Sequence, residues 1–443
     1  MTLSKTLLMS SVAASLGGFL FGFDTVVISG AEEAIEALWG LSPVEHGFAM
    51  SAPLWGTVLG AVAGGWPSDR FGRKKTLESI GVLFLVSAVW SALAASFYGF
   101  MVARFLGGVG IGVATVASPL YISEIAPPGF RGRLTGMFQF NIVFGILAAY
   151  LSNALLGGAG EHAWRWMLGV EAAPALVYSL ACLWIPESPR WLISERGDLE
   201  GAARVLERID PEGGAAGAGR LAAEIQAADG SAGSHGGFWT ARLRRPILLA
   251  FFVAFFNQLS GINAVLYFAP RIFKMTGLEE NAALLQSVGI GVTNLLFTFA
   301  GLWLIDRAGR RTLLAVGSLG YIGSLGLCSW AFASGAYAIV PACIFAFIAS
   351  HAVGQGAVIW VLISEVFPNH HRAAGQALGC STHWVFAALL TLVFPKMVDL
   401  FDPSAVFAFF SGMMVLQLVW VLVAVPETKG VSLEALQERL GTG

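Results

Sequence analysis

The sequence predicts an all-α membrane protein of twelve transmembrane helices arranged as two pseudo-symmetric six-helix bundles. Three observations carry that expectation. The 443 residues are 56% hydrophobic and only 12% charged, with a mean hydropathy of +0.71, a balance that soluble domains of this size do not reach. Apolar runs of roughly 20 residues recur along the chain, each long enough at about 1.5 Å per residue to cross a hydrocarbon core about 30 Å thick. One set of charged motifs also occurs twice at a nearly constant offset. Alternating strand patterns are absent, so the spans are expected to be helices, which satisfy their own backbone in lipid.

The first six spans are placed at about 7–30, 47–66, 76–96, 99–122, 134–156 and 166–185. The second six are placed at about 246–268, 283–305, 312–333, 338–363, 374–395 and 404–425. Basic loops are retained on the cytoplasmic side of a membrane. With both termini inside, the cytoplasmic segments hold 21 of the 26 basic residues, four lie outside, and Arg104 falls within a span. The outer loops instead collect Glu32, Glu33, Glu36 and Glu45. The apolar run after Lys5 resembles a signal peptide, but it is long, contains Asp24 and lacks an A-x-A site, so it reads as a retained first helix. Cys182, Cys328, Cys343 and Cys380 sit in or near apolar runs without CxxC spacing, so small buried residues are expected and no disulfide, metal or cofactor. A net charge of −2 suggests no nucleic-acid partner.

The doubling is explicit. Asp69-Arg70-Phe71-Gly72-Arg73-Lys74 follows span two, and Asp306-Arg307-Ala308-Gly309-Arg310-Arg311 follows span eight. Ser123-Glu124-Ile125-Ala126-Pro127 with Arg131 follows span four, matching Ser364-Glu365-Val366-Phe367-Pro368 with Arg372 after span ten. Pro186-Glu187-Ser188-Pro189 closes span six and Pro426-Glu427-Thr428-Lys429 closes span twelve. The predicted organisation is a bundle over 1–185, a cytoplasmic linker over 186–245, a second bundle over 246–430 and a tail over 431–443. Paired halves of this kind are a recurring transporter plan, with substrate bound near mid-membrane and one half rocking against the other.

Plain topogenic charge would explain isolated arginines, but not an Asp and a Gly fixed among them. The Gly permits a tight reversal, and the guanidinium groups can pair with Glu124, Glu365, Glu187 and Glu427 as a cytoplasmic gate latch. The candidate gate set is therefore Asp69, Arg70, Arg73, Glu124, Arg131, Glu187, Asp306, Arg307, Arg310, Glu365, Arg372 and Glu427. In the linker, a helix-like Leu199–Ile209 segment adjoins a Gly/Ala-rich stretch, Gly213–Gly219. Short amphipathic helices joined by a flexible stretch are expected there.

A charge inside a span is costly unless it faces a cavity or a partner, so intramembrane ionisable groups are functional candidates. Asp24, Arg104 and Glu171 are the three well inside. Asp24 and Arg104 both fall toward the outer half of their spans, and a pair is possible. The pair reads either as a proton-responsive switch or as a permanent helix-pinning salt bridge. Glu171 reads either as an accessory proton site or as a helix-contact residue. Span seven carries Asn257, Gln258, Asn263 and Tyr267 in an otherwise apolar helix, with Ser260-Gly261 able to loosen it. Uncharged amides both donate and accept, as sugar hydroxyls require. The alternative is interhelical polar contact.

These motifs, with Phe21-Gly22-Phe23-Asp24, Pro186-Glu187-Ser188-Pro189-Arg190, Gln258-Leu259-Ser260-Gly261-Ile262-Asn263 and Pro426-Glu427-Thr428-Lys429-Gly430, resemble the sugar porter family of the major facilitator superfamily over essentially the whole chain. The resemblance is nearest to bacterial sugar–proton symporters for xylose, arabinose and glucose. It implies that an aspartate and an arginine at the positions of Asp24 and Arg104 couple sugar to proton. It also adds Gln139, Asn294, Trp360 and Trp384 to the sugar-binding set, with Phe21, Ile142 and Ile146 as apolar wall. Three features depart from the family: Asn257 where many relatives have Gln, His383 where Asn or Gln is usual, and Gly354-Gln355-Gly356-Ala357 where a Trp-Gly-Pro run is common. His383 is read as a ligand, a second titrating group or a core histidine.

The expectation is uptake of a monosaccharide, hexose or pentose, coupled to proton import by a monomer in the cell membrane with both termini cytoplasmic. The alternatives are a proton-independent sugar uniporter and a transporter-like sugar sensor. No HExxH pair or plausible nucleophile constellation points to an enzyme.

Overall fold

The computed structural model describes residues 4–127, 129–229, 237–368 and 371–431, together with 436, 438 and 440. The described residues are helical throughout, with no strand. The first half contains α1 (Lys5–Val27), a short α2 (Glu32–Trp39), α3 (Pro43–Ala63), α4 (Gly65–Phe71), α5 (Arg73–Leu93), α6 (Phe97–Ile125), α7 (Arg131–Leu156), α8 (Ala163–Gly169) and α9 (Ala172–Trp184). The linker forms α10 (Pro189–Ser194), α11 (Leu199–Ile209) and α12 (Gly214–Asp229). The second half begins with α13 (Arg244–Leu259), α14 (Ile262–Tyr267), α15 (Ala269–Lys274), α16 (Glu280–Ala308) and α17 (Arg310–Ser334). It ends with α18 (Val340–His351), a π-helical segment (Ala352–Gly356), α19 (Ala357–Val366), α20 (Arg372–Leu400) and α21 (Pro403–Ala424).

Among the described residues, eleven helical stretches are long and apolar enough to cross a membrane, and α3 with α4, bent by 50°, makes a twelfth when the pair is taken as one span. The expected spans are therefore found within a few residues of their predicted bounds. Besides the α3–α4 bend and the π-helical segment of span ten, spans six and seven are divided, for readable reasons. Pro174 cannot donate to the carbonyl of Val170, so span six divides into α8 and α9 around Glu171. Span seven divides at Gly261, whose φ of +85° suits glycine and little else.

By packing, the chain forms two compact units. Within the described residues, the first comprises 4–25, 55–146 and 168–229, and the second comprises 26–54, 147–167 and 237 onward. The first has an apolar core that includes Leu20, Phe84, Ile111, Tyr121, Tyr178 and Cys182. Its α1 and α7 approach so closely that a Cβ on Gly22 would lie 1.9 Å from the carbonyl oxygen of Ile142. The second unit has a core including Leu314, Val358, Leu362, Phe367 and Val421. It also gathers the predicted outer ends of spans one, two and five onto the C-terminal helices. There Tyr150 donates to the carbonyl of Leu266 at 2.7 Å, Asn153 donates to that of Val27 at 3.0 Å, and α3 closes on α20 where Gly47 meets the Leu392 carbonyl.

The linker departs from expectation at one place. The Gly/Ala-rich stretch is not a flexible tether: most of it is the first part of α12, which packs Ala218 and Ala222 against Ala202 and Leu206 of the amphipathic α11. Alanine is the strongest helix former, and small side chains four apart let two short helices share one apolar seam. Residues 230–236 and most of the 431–443 tail lie outside the described residues.

Gly22→Leu is expected to destabilise the chain by about 3 kcal/mol or more, because its side chain would have to separate α1 from α7. Gly136→Ala, whose new Cβ meets nothing within 4 Å, is the matched control and should leave the thermal unfolding midpoint in detergent unchanged or slightly higher.

Candidate functional site

In the first unit the structure pairs Asp24 with Arg104. Both are buried, 1% and 0% exposed; Arg104 donates from Nη1 to Asp24 Oδ1 at 2.5 Å and from Nη2 to the Asp24 carbonyl at 3.0 Å. The second carboxylate oxygen, Asp24 Oδ2, makes no hydrogen bond. Glu171, held at the α8–α9 break and 1% exposed, lies within electrostatic reach of both residues. Neither of its carboxylate oxygens has a hydrogen-bond partner among the described residues. Two carboxylates and one guanidinium are thus buried together, and with both acids ionised they carry one uncompensated negative charge. One added proton would make the group neutral.

In the second unit the amides form a relay. Asn263 Nδ2 donates to Gln258 Oε1 at 2.8 Å, and Gln258 Nε2 donates to Asn257 Oδ1 at 2.9 Å. The same Nε2 lies 3.1 Å from each ring nitrogen of His383. The break at Gly261 makes the relay possible. Residues 257, 258 and 263 would splay around an unbroken helix, whereas here the left-handed Gly261 interrupts the helix and Ser260 donates to the Asn257 carbonyl at 2.6 Å. His383 is flanked by the rings of Trp360 and Trp384 at centroid distances of 5.2 and 4.7 Å.

Polar amides beside indole faces are suited to a ligand with hydroxyls on its edge and C–H bonds on its faces. Tyr267 is buried at the end of α14, and Asn294 accepts from Thr298 at 3.5 Å. Of the candidates in the first unit, Phe21 and Ile142 pack at the margin of its core, Gln139 is half-buried and Ile146 is buried.

Residues 10–440 match the family model described as sugar (and other) transporter. The chain belongs to the sugar transporter family. It is 36% identical to the arabinose-proton symporter of Bacillus subtilis, covering 97% of this chain and 94% of that protein. It is 35% identical to the D-xylose-proton symporter of Escherichia coli, with 96% and 94% covered. Among solved structures, the inward open conformation of the xylose transporter of E. coli matches with a TM-score of 0.87 at 32% identity, covering 98% of this chain and 99% of that one.

The doubled motifs of this sugar transporter fold into two matching clusters, each within one unit. Arg73 makes a two-pronged pair with Glu124 at 2.8 and 2.9 Å and also reaches Asp69 at 3.0 Å. Arg310 does the same with Glu365, at 2.8 and 3.2 Å, and with Asp306 at 3.0 Å. The expected guanidinium partnership of Glu187 and Glu427 is corrected. Glu187 accepts from the backbone amides of Arg73 and Lys74, and Glu427 from those of Arg310 and Arg311, so each carboxylate sits on a helix N-terminus.

The glycine before each helix serves this contact twice. It takes a φ of +99° or +94°, and its missing Cβ leaves room for the carboxylate, which would otherwise lie 2.2 or 2.4 Å away. Ser188 and Thr428 complete the repeat by donating to Glu124 and Glu365. Arg131 instead donates to the Ser123 carbonyl, Arg307 lies 3.8 Å over the Trp303 ring, Arg70 is exposed, and Arg372 opens α20.

Two polar groups escaped the sequence reading. Gln355, in the π-helical segment, donates to Gln417, which donates to Ser318, a buried chain linking spans ten, twelve and nine. Its signal was a pair of glutamines inside apolar runs. The second is the ion cluster on α2, in which the outer glutamates meet Arg271 and Lys274.

The repeated glutamates titrate differently. Burial pushes the Glu187 carboxyl above the ordinary carboxylate range, against its amide contacts. At Glu427 burial acts in the same direction, but the amides of Lys429, Arg310, Arg311 and Thr428 hold the carboxyl below that range. The Glu427 contribution to stability is therefore present at neutral pH and lost on acidification, whereas the cost of ionising Glu187 is relieved on acidification. In thermal unfolding between about pH 7 and pH 4, the deficit of Glu427→Gln relative to the unsubstituted chain should shrink as pH falls, and that of Glu187→Gln should grow.

Proposed function

We propose that the chain imports a monosaccharide, hexose or pentose, together with protons by alternating access, acting as a monomer in the cell membrane with both termini cytoplasmic. The observation that carries this reading is the buried Asp24–Arg104 pair with the unbonded Glu171 beside it. Binding and release of one proton change the charge of this group between neutral and −1, and in a medium that charges enter only at a cost, that change alters which conformation is favoured. Protonation of Asp24 ends its ionic hold on Arg104, leaving the guanidinium to Glu171. The names of relatives 35–36% identical, arabinose-proton and D-xylose-proton symporters, support the same reading.

Sugar hydroxyls are taken by the amides of Asn257, Gln258 and Asn263, which exchange their bonds to one another for bonds to the ligand. Trp360 and Trp384 offer apolar faces, and His383, already bonded within the relay, acts as a ligand or as the residue that orients Gln258. Asn294 and Tyr267 in the second unit, and Gln139, Phe21, Ile142 and Ile146 in the first, are further candidates for sugar contact. The six-helix halves 1–185 and 246–430 are the moving bodies, joined by the 186–245 linker. The paired motif clusters keep the helix ends of each half together at the cytoplasmic gate while it moves.

Uptake of a labelled sugar panel into proteoliposomes, with and without an imposed proton gradient, tests this reading. Gradient-driven accumulation is expected, and accumulation indifferent to the gradient would identify a uniporter instead. Asp24→Asn should abolish uphill uptake while retaining sugar exchange. Gln258→Ala, which removes the centre of the relay, should weaken sugar binding by about 10- to 100-fold, measured by ligand-induced change in tryptophan fluorescence.

A further inference from the structure

Away from the Asp24 group and the amide relay, the second unit contains a dense ionic cluster. Glu32 and Glu36, one turn apart on α2, both pair with Arg271 of α15, with Nε donating to Glu32 Oε1 at 2.9 Å, while Glu33 pairs with Lys274. His46, from the first turn of α3, lies among them and is 0% exposed. Its Nε2 is 3.1 Å from Glu32 Oε2 and its Nδ1 is 3.5 Å from Glu36 Oε2. None of these approaches has hydrogen-bond geometry: both ring nitrogens of His46 and Oε2 of Glu32 are buried without a hydrogen-bond partner. The buried imidazole and the buried carboxylate oxygen thus face each other at 3.1 Å with their hydrogen-bonding capacity unused.

Three further features favour a metal. One ligand atom from each of Glu32, Glu36 and His46 can be chosen so that all lie within 4.8 Å of one another. The 3.1 Å between His46 Nε2 and Glu32 Oε2 is close to the distance of about 3.4 Å between neighbouring ligands of a tetrahedral zinc ion with bonds of about 2.0–2.1 Å, while Glu36, which faces the other ring nitrogen, would close on the ion by a side-chain rotation. Three glutamates face two permanent cations, Arg271 and Lys274, beside the imidazole of His46, so with that ring neutral one negative charge is left over. One imidazole nitrogen with two carboxylates suits a borderline divalent cation, whereas magnesium prefers an all-oxygen octahedral shell. All three residues belong to the α2–α3 hairpin, so the site does not need α15.

We propose that Glu32, Glu36 and His46 form a binding site for a divalent cation of the zinc class, and that Arg271 competes with the cation for the two carboxylates. A metal held there would take Glu32 and Glu36 from Arg271 and cut the ionic tie between α2 and α15. The site is independent of the sugar reading and can be tested without transport.

The test is a zinc titration of the purified full chain, freed of metal by chelation, followed by calorimetry, with magnesium as the control. One zinc ion should bind and magnesium should not. Arg271→Gln should tighten zinc binding at least ten-fold by removing the competitor, and His46→Gln should weaken it at least ten-fold. Glu36→Gln, at a half-buried position, should weaken it similarly and replaces the histidine variant if that protein fails to fold by circular dichroism. Zinc affinity unchanged in the folded His46 and Glu36 variants would place the ion on other histidines and overturn the proposal. An Arg271 variant that binds zinc no more tightly would also overturn it, by removing the competition.

Discussion

A hydrocarbon surround supplies no hydrogen bonds, so each polar group within the spans must find its partner in the chain or carry its cost. The polar anatomy of this transporter follows from that constraint. Asp24 is held by Arg104, the span-seven amides bond to one another, and Gln355 is tied through Gln417 to Ser318. Set against these partnered groups, the few unbonded atoms stand out. Among them are the carboxylate oxygens of Glu171, one oxygen of Asp24, and the facing atoms of His46 and Glu32, and these ionisable groups are places where a proton or a metal cation would complete what the fold leaves open.

The doubled sequence becomes doubled chemistry at the helix ends, but with a different division of labour from the one the charges suggest. Arginine pairs with the glutamate that ends the span two further on, while the glutamate of the Pro-Glu-Ser or Pro-Glu-Thr motif holds a helix N-terminus. One carboxylate neutralises a side chain and the other satisfies orphan backbone donors, so the two acids are not interchangeable. The halves also differ in how deeply the second carboxylate is buried, which is why burial dominates at Glu187 and the amides dominate at Glu427.

Much of this was legible in the sequence because the membrane writes its signals plainly: twenty-residue apolar runs, basic inner loops and polar residues in apolar surroundings. Asp24, Arg104 and Glu171 could be found one by one, since each is anomalous where it stands. The Gly261 break could be anticipated from a Ser-Gly pair amid amides. The α2 cluster could not, because Glu32, Glu33 and Glu36 read as ordinary loop acids, and only the tertiary arrangement brings Arg271, 239 residues from Glu32, onto them. The Gly/Ala stretch misled for a related reason: its composition signals freedom, yet a neighbouring apolar seam on α11 gives its alanines something to pack against.

The break at Gly261 has a mechanical corollary. Arg271 lies ten residues beyond it, an arm of about 15 Å along α14 and α15 at helical rise. Turning that arm by about ten degrees at the glycine displaces its end by about 2.6 Å, by the same rise. A contact of 2.9 Å between Arg271 and Glu32 would not survive that displacement. If α14 and α15 turn as one body, despite the break at Phe268 between them, a small torsional change beside the amides would be geared into a large change at the ion cluster.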